Sequence, residues 1–315
     1  MSVQPVCSII IPSYRAAQTI GACLTALLGQ DLTLPYEIIV VDSSPDETPD
    51  LIRRDFPQVQ LIHLPHKTGP AKARNIGAQQ ARGEILAFID ADCIAQPNWL
   101  RQLYTLIQQG YDAVGGAIAN GNGETLISWA SYMCEFREFL PVGSSRDVTN
   151  LTLGNVAYRR TSFWAAGGFP ARCFPQEDQV FHYGLRQRGG RIHFDPGIVV
   201  AHTHRTERAA FLHHQHRIGR ANARVLGKLD LPGAAIARRP WLALLITPAL
   251  IFLRLVRTFY ACWWVEQGLV WRRPALVWLC WLGMYWWGRG FIRAAGISSP
   301  RTIISRGLSY AYPRR

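Results

Sequence analysis

Short apolar runs alternate with amphipathic segments along the first part of the chain. The apolar runs have the length of strands and lie at residues 6–11, 37–41, 59–64 and 85–89. Apolar positions recur at helical spacing in the segments between and after them, at residues 16–29, 48–56, 69–82 and 97–109. Largely apolar strands that alternate with helices are typical of a parallel sheet covered on both faces. The pattern therefore predicts an α/β domain with a doubly wound, mostly parallel sheet flanked by helices.

Carboxylates follow two of these predicted strands. Asp42 comes directly after the second run, and Asp90 and Asp92 follow the fourth. Ligands of open α/β sheets bind at the carboxyl ends of the strands, and paired carboxylates repel one another unless a cation lies between them. A divalent cation takes oxygen ligands and bridges to phosphates, so it would satisfy the pair. The alternative is a strand-end turn in which the two acids only cap the next helix.

Basic residues near a helix start give a second chemical signal. Lys72 and Arg74 lie close to the beginning of the predicted helix at residues 69–82. A helix N-terminus with added positive charge favours anions, including phosphates, although a solvated helix face is the alternative. The glycine patterns of a Rossmann dinucleotide site and of a P-loop are both missing from the sequence. Their absence disfavours those two kinds of site.

Nine short motifs occur in a fixed order along residues 8–221. They are SIIIPSYR (8–15), EIIVVDSS (37–44), GPAKARNIG (69–77), ILAFIDADC (85–93), GNVAYRR (154–160), GGF (167–169), QEDQVF (176–181), VVAHTH (199–204) and RIGRA (217–221). This ordered set resembles the family 2 glycosyltransferases, the inverting enzymes with a GT-A fold. The resemblance implies a nucleotide-diphospho-sugar donor, a divalent metal cofactor (Mg²⁺ or Mn²⁺) and inversion at the anomeric carbon.

The resemblance also implies roles for residues that bind the sugar donor. Asp42 would hold the nucleotide base or ribose, Asp90 would contact the ribose, and Asp92 would bind the metal between the two phosphates. His202 would be a second metal ligand, and His204 at the same strand end is a further candidate, although a lone histidine is more often structural. The full donor-binding set that the resemblance implies is Pro12, Tyr14, Asp42, Lys72, Arg74, Asp90 and Asp92.

The residues that the resemblance places near the sugar acceptor lie in two later motifs. The resemblance implies that Gly154, Asn155 and Glu177 lie near the acceptor, where glycine would permit a close backbone approach. It implies that Asp178 is the general base that removes the proton of the acceptor hydroxyl. The alternative is an acid pair that only caps a helix at residues 179–188.

Charge and hydropathy change sharply in the later part of the chain. Residues 1–199 carry 16 Lys and Arg against 18 Asp and Glu, whereas residues 200–315 carry 18 against 3. Such asymmetry favours an anionic membrane surface or nucleic acid, and long apolar blocks between the arginines disfavour nucleic acid. We therefore expect a GT-A domain at residues 1–225 and a basic, Trp-rich, membrane-associated helical region at residues 226–315.

Two apolar runs in this region bear on how the chain meets a membrane. They lie at residues 241–253 and 274–288, and both fall short of the ~20 apolar residues that span a bilayer. Helices that lie in the interface or dip partway in, and a two-span hairpin, both remain open. Seven cysteines without metal-site or C-x-x-C spacing favour reduced thiols, and the N-terminus lacks a secretory pattern. We expect a peripheral, re-entrant or two-span protein at the cytoplasmic face of the cell membrane.

The expected function is inverting transfer of a sugar from a nucleotide-diphospho-sugar to a hydroxyl of a glycan or lipid-linked acceptor. Two alternatives are a sugar nucleotidyltransferase and a catalytically inactive membrane scaffold. The nucleotidyltransferase is disfavoured because its glycine- and arginine-rich phosphate loop is missing after the first strand, at residues 12–17. Residues 110–153 read as an irregular loop, which we expect to set specificity.

Overall fold

The computed structural model describes residues 4–297 in two compact units. The first unit extends to Gly121 and resumes at Pro141–His202, and the second comprises Asn122–Leu140 and the chain from Thr203 onward. These units divide the chain at other positions than the predicted domains 1–225 and 226–315, and that domain assignment stays a prediction.

Among the described residues, nine strands form one sheet. They are β1 (Cys7–Ser13), β2 (Tyr36–Asp42), β3 (Gln60–His63), β4 (Ile85–Ile89), β5 (Cys93–Ala95), β6 (Ala113–Asn120), β7 (Arg146–Asp147), β8 (Asn155–Arg159) and β9 (Ile192–His202). The helices are α1 (Ile20–Leu28), α2 (Thr48–Asp55), α3 (Pro70–Gln80), α4 (Trp99–Gln108), α5 (Leu126–Phe136), α6 (Arg160–Ala165), α7 (Glu177–Gln187), α8 (Arg208–Leu226), α9 (Ala234–Arg238), α10 (Pro240–Val265), α11 (Leu269–Arg272) and α12 (Ala275–Ala294).

The sheet belongs to the first unit and has a reversal in its winding. Strands β3, β2, β1 and β4 are neighbours in that order and run parallel. Antiparallel β8 links β4 to β6, β9 runs parallel to β6, and β5 and β7 pair antiparallel with β9. The winding reverses between β1 and β4, which is where ligands of such sheets bind. The predicted mostly parallel sheet flanked by helices is confirmed.

Strand β4 is held by packing on both of its faces. All five of its residues are buried, as its uniformly apolar sequence predicts. The Phe88 ring lies 5.8 Å from Tyr158, 5.5 Å from Phe163 and 5.1 Å from Phe169, measured between ring centroids. Each fully buried large apolar side chain contributes ~1.5–3 kcal/mol to folding. This packing fixes the end of β4 and with it the position of Asp90.

Residues 110–153 are not an irregular loop, and that prediction was wrong. They contain strand β6 and helix α5, which begins after Thr125, where the threonine side chain accepts a 3.1 Å hydrogen bond from the Ser128 backbone N–H. A Cβ on Gly115 or Gly116 would collide with Leu151 or with the backbone of β9, so β6 needs glycine for close packing. In a sequence, glycines that permit close packing look like turn residues.

The second unit is built from helices α5 and α8 to α12. Helices α8 and α12 approach most closely where each has a glycine. A Cβ on Gly219 would meet the Trp287 carbonyl oxygen, and a Cβ on Gly290 would meet the His216 carbonyl oxygen. Around Trp287, alanines of α8, α9 and α10 complete an apolar core. Small residues at a helix crossing thus let two backbones pack directly against each other.

Helix α10 is the one described helix that is long and apolar enough to cross a membrane, by length and composition. Its most apolar window has a mean hydropathy of 1.8, and 17% of that window is buried. The helix continues through Pro248, Arg254 and Arg257, so it extends well beyond the apolar run at 241–253. Its exposed large side chains are Trp241, Leu244, Leu245, Phe252, Leu253, Val256, Tyr260, Trp263 and Trp264.

Candidate active site

The carboxyl ends of β1, β2 and β3 meet in one hydrogen-bonded cluster. The parallel register brings Ser13 next to Asp42, and Asp42 next to His63. Asp42 is fully buried, and its carboxylate accepts hydrogen bonds from the Ser13 hydroxyl (2.8 Å) and from the Ser44 backbone (2.9 Å) and hydroxyl (2.6 Å). The His63 ring nitrogen Nδ1 lies 2.9 Å from its second oxygen. These contacts fix the orientation of Asp42 at the edge of the sheet.

The chain after β1 carries an aromatic ring beside this cluster. The amino group of Lys67 lies 4.6 Å from the centroid of the Tyr14 ring. Arg15 adopts a left-handed backbone conformation, with φ of 53°, and its backbone N–H donates to the Ser44 hydroxyl at 2.7 Å. Pro12 lies within β1. An aromatic face with a cation beside it at a strand end can stack a base and attract phosphate.

Arg74 joins two acids from different parts of the chain. Its guanidinium lies 2.5 Å from an Asp90 oxygen and 3.3 Å from a Glu177 oxygen. Arg74 and Glu177 are both buried. Burial by itself would lower the pKa of Arg74, but the two carboxylates raise that pKa above its usual value. Lys72, on the same helix, is exposed, so α3 presents one cation to the acids and the other to solvent.

The predicted acceptor residues at the start of β8 differ in their surroundings. A Cβ on Gly154 would lie 3.2 Å from an Asp90 oxygen, so glycine lets the backbone approach that carboxylate closely. Asn155 is fully buried, and its amide bonds to the Trp99 indole N–H (2.8 Å) and to the carbonyls of Ala117 (2.8 Å) and Ile198 (2.9 Å). The Asn155 side chain therefore holds the sheet together, and its role toward an acceptor stays a prediction.

Three possible metal ligands meet where β5 pairs with β9. Cys93 lies opposite His202 in the antiparallel register. One ligand atom each from Asp92, Cys93 and His202 lies within 4.8 Å of the other two. The Asp92 oxygen lies 3.6 Å from Nε2 of His202 and 3.8 Å from the Cys93 sulfur. An oxygen, a nitrogen and a sulfur in such a group can hold a divalent ion.

His204 belongs to the second unit, two residues beyond the end of β9. Its ring centroid lies 5.3 Å from Tyr132 and 5.5 Å from Phe136, and the residue is buried. Its backbone N–H donates a 2.7 Å hydrogen bond to the Asn122 side chain. The three-residue ligand group does not include it, and its predicted role as a metal ligand stays a prediction.

Asp178 lies in the first turn of α7 and carries a carboxyl group with an unusual environment. Burial raises the pKa of Asp178 from 3.8 to about 7, and the adjacent Glu177 carboxylate adds to this rise. One Asp178 oxygen accepts a 3.3 Å hydrogen bond from the Asn150 amide. The other, Oδ1, is buried and meets no hydrogen-bond partner of normal geometry among the described residues. The Gln179 backbone N–H and the Arg74 charge act against the rise in pKa. A carboxylate with a pKa near neutrality and a spare acceptor atom has the properties of a general base.

Several residues of this arrangement were not predicted from the sequence. His63 is the last residue of β3 and Lys67 follows that strand, which carries no acid or motif, so nothing in the sequence marks either residue. Cys93 stands directly after the Asp-x-Asp motif and could have been found if sulfur had been considered as a ligand beside it. Asn150 lies in the segment predicted to be an irregular loop, and only the folded chain brings it to Asp178.

Comparison with known proteins places the chain in a family. The profile described as Glycosyl transferase family 2 matches residues 8–167, just over half of the chain. The chain belongs to glycosyl transferase family 2. Among similar curated proteins, glycosyltransferase AglE of Haloferax volcanii is 38% identical over 125 residues, which span 37% of this chain and 40% of AglE. The undecaprenyl-phosphate 4-deoxy-4-formamido-L-arabinose transferase of Pseudomonas syringae pv. syringae is 32% identical over 164 residues, 49% of this chain and 47% of that enzyme. The chain thus spans less than half the length of these relatives.

A solved structure extends the likeness across nearly the whole chain. The mannosyltransferase PcManGT from Pyrobaculum calidifontis, in complex with GDP-Man and Mn²⁺, superposes with a TM-score of 0.60 at 20% identity. The match covers 92% of this chain and 88% of PcManGT. At this identity the likeness concerns the fold, and it agrees with the GT-A architecture predicted from the motifs.

Proposed function

We propose that this member of glycosyl transferase family 2 is a metal-dependent, inverting enzyme. It moves a sugar from a nucleotide-diphospho-sugar to a hydroxyl of a glycan or lipid-linked acceptor. The observation that carries the proposal is the ion-paired bridge of Arg74, which connects Asp90 at the end of β4 to Glu177 beside Asp178. This bridge ties a strand-end site suited to a nucleotide to a carboxyl group suited to proton removal.

The sugar donor would bind across the ends of β1 to β4. Asp42, oriented by its hydrogen bonds to Ser13 and Ser44, would accept from the nucleotide base or ribose. The Tyr14 ring would lie against the base, and Lys67 beside it would attract a phosphate. Similarity to PcManGT, whose structure contains GDP-Man, supports a nucleotide-sugar at this edge.

Asp92, Cys93 and His202 are the residues that would hold the divalent ion. The Asp92 carboxylate suits Mg²⁺ and Mn²⁺ alike, and the His202 imidazole is a ligand of transition-metal ions. Burial and the nearby Asp92 and Asp90 carboxylates raise the pKa of the Cys93 thiol well above its usual value, so Asp92 and His202 are the stronger ligands of the group. When bound, the ion would stabilise the negative charge that develops on the departing nucleoside diphosphate.

Asp178 would take the proton of the acceptor hydroxyl as the new glycosidic bond forms. Its pKa of about 7 suits a base that works near neutral pH. Glu177 is already engaged by Arg74, which favours Asp178 over its neighbour for this role. Gly154 leaves room beside Asp90, so an acceptor could approach the sugar without a side chain in its path.

The second unit would associate with the cytoplasmic face of a membrane. Helix α10 exposes a nearly continuous set of large apolar side chains, including Trp241, Phe252 and Trp264. Arginines and tryptophans together favour the interface of an anionic bilayer. One relative is an undecaprenyl-phosphate sugar transferase, which supports a lipid-linked acceptor. Peripheral, re-entrant and spanning arrangements of α10 all agree with these features.

A screen with purified protein tests the proposed reaction. The full chain is incubated with a panel of nucleotide-diphospho-sugars and Mn²⁺ or Mg²⁺, and released nucleoside diphosphate is measured with and without candidate acceptors. We expect release with one donor, loss of release with chelator and recovery with Mn²⁺. Pyrophosphate as the product would support a nucleotidyltransferase instead. No release with any donor, together with no donor binding, would support an inactive scaffold.

Two substitutions separate sugar-donor binding from proton transfer. Asp178→Asn should lower turnover by about 10²–10⁴-fold, the usual cost of losing a general base, and leave nucleoside-diphosphate affinity nearly unchanged. Asp42→Asn should weaken nucleotide binding first. Near-normal turnover in Asp178→Asn combined with a large loss in Glu177→Gln would move the base to Glu177. Normal turnover in both would refute the inverting mechanism.

A further inference from the structure

A row of hydrogen-bonded side chains lies behind Asp178 and ends at its carboxylate. The Tyr158 hydroxyl oxygen lies 2.7 Å from Nε2 of His182, and Nδ1 of His182 lies 2.7 Å from the Asn150 amide oxygen. The Asn150 amide nitrogen donates to the Asp178 carboxylate at 3.3 Å. Tyr158 and His182 are fully buried. The proposed transfer reaction gives none of these three polar side chains a task.

The fold brings the row together from three elements. Asp178 and His182 lie four residues apart on α7, so they share one face of that helix. Tyr158 comes from β8, and Asn150 comes from the segment between β7 and β8. The segment that was expected to set specificity is therefore linked by a hydrogen bond to the candidate base.

The protonation of His182 decides the direction of the hydrogen bonds. Burial lowers the pKa of His182 to about 3, so the ring is neutral and has one N–H. If Nδ1 holds the proton, Tyr158 donates to Nε2, Nδ1–H donates to the Asn150 oxygen, and the Asn150 NH₂ group donates to Asp178. Every donor in the row then has an acceptor, and the last donor points at the carboxylate.

The other tautomer gives a different result at Asp178. With the proton on Nε2, Nδ1 would accept from the Leu151 backbone N–H, which lies 3.4 Å away. The Asn150 amide would then turn its NH₂ group to the ring and its oxygen to Asp178. An amide oxygen against an ionised carboxylate is repulsive, and against a protonated one it is favourable. Ionised Asp178 thus favours the tautomer of His182 with the proton on Nδ1, whereas protonated Asp178 also allows the tautomer with the proton on Nε2.

We infer that Asn150, His182 and Tyr158 are positioning residues that orient the Asp178 carboxylate and set the pH range in which it accepts a proton. The inference rests on the proposed role of Asp178 as the general base. Besides His182 and Tyr158, the ionisable groups that influence Asp178 are Glu177 next to it and Arg74 from α3. Neither of these belongs to the row, so changes within the row leave that ion pair intact.

Substitutions within the row test this through the pH profile of kcat/KM. Asn150→Ala removes the hydrogen bond to the carboxylate, so the acidic limb should move up by about 0.5–1 pH unit. Tyr158→Phe keeps the ring in the aromatic core and removes only the hydroxyl, so the limb should move in the same direction by less. Asn75→Ala is the matched control, because its amide bonds the Phe169 backbone, outside the row. Asn75→Ala should lower the melting temperature without moving the acidic limb of the kcat/KM profile.

A structural role alone would give a different pattern. If Asn150→Ala and Tyr158→Phe lower kcat/KM equally at every pH and leave the acidic limb in place, the inference is overturned. Should Asn150→Ala fold poorly, Tyr158→Phe decides alone, since its packing is preserved.

A second readout separates the row from the choice of base. The unfolding free energy is measured against pH for wild type, Asn150→Ala, Asp178→Asn and the double variant. We expect Asn150→Ala to extend the loss of stability to higher pH, because a higher folded-state pKa of Asp178 widens the pH range over which the folded state binds the extra proton. Asp178→Asn should abolish that effect. If Asp178→Asn keeps its turnover, the base assignment fails while this comparison still tests the row. Identical pH dependence in wild type and Asn150→Ala would refute the row on its own.

Discussion

Replacement of Arg74 by methionine tests the buried ion pairs that join the two halves of the candidate site. Methionine is close to arginine in length and removes the charge, which leaves Asp90 and Glu177 without their cation. The Asp90 side chain is 31% exposed and can be solvated, whereas the Glu177 side chain is 5% exposed and cannot. Breaking a buried pair from one side costs ~3–5 kcal/mol. Since only one of the two acids is deeply buried, we expect a loss of ~3 kcal/mol in the unfolding free energy.

A double variant identifies the cause of that loss. Denaturant unfolding, followed by fluorescence, gives the free energies of Arg74→Met, Glu177→Gln and the combination. Because Glu177→Gln removes the buried negative charge that Arg74 no longer balances, the double variant should recover about half of the lost unfolding free energy. Lys72→Met is the matched control on the same helix, and since Lys72 is exposed it should change stability by less than ~0.5 kcal/mol. Equal losses in Arg74→Met and Lys72→Met, or no recovery in the double variant, would refute the reasoning.

Three further predictions concern the metal, the base and the membrane. Mn²⁺ with a nucleoside diphosphate should raise the melting temperature of wild type but not of Asp92→Ala or His202→Ala, because a ligand stabilises only the state that binds it. The pKa of Asp178 is raised in the folded state, so stability should fall as pH rises from 3.8 through about 7. Asp178→Asn has no carboxyl group to ionise, so its unfolding free energy at about pH 8 should exceed that of wild type by ~1–2 kcal/mol. The full pKa shift would correspond to ~4 kcal/mol. The smaller value is expected because part of the Asp178 side chain reaches solvent. Asp50→Asn, at an exposed position in the first turn of α2, keeps Asp178 and should therefore lose stability with rising pH as wild type does. Full-length protein should co-sediment with anionic vesicles, and Trp241→Ser with Trp264→Ser should weaken that binding; retention unchanged from wild type would contradict the role of α10.

The sequence predicts the parallel half of the sheet well because its signal is local. Apolar runs such as 85–89 report burial on both faces, and an acid placed directly after a run reports the strand end. The antiparallel half has no such signal. Strand β6 contains Gly115 and Gly116, since close packing against Leu151 and the backbone of β9 leaves no room for larger side chains at these two positions. Small residues at a tight contact and small residues in a turn are identical in a sequence.

Long-range pairing explains what could not be predicted at the site. Arg74 and Glu177 lie 103 residues apart in the chain, and Asn150 and Asp178 lie 28 apart. Motifs identified Arg74, Glu177 and Asp178 as polar residues of interest, but only the folded sheet decides which acid receives the arginine. Asn150 belongs to no motif, and only the fold brings its amide between His182 and Asp178. Residue types are therefore predictable at this site, whereas their hydrogen-bond partners are not.

The adjacent acids Glu177 and Asp178 show why partners matter more than residue type. Both open α7, and either could serve as a general base by chemistry alone. Glu177 lies 3.3 Å from the Arg74 guanidinium, so its carboxylate is already engaged in an ion pair. Asp178 has no such contact, feels its neighbour's negative charge, and holds a buried oxygen without a hydrogen-bond partner of normal geometry among the described residues. The two neighbouring carboxyl groups therefore suit different tasks. Asp178, which has no arginine in direct contact, is the one suited to accept a proton.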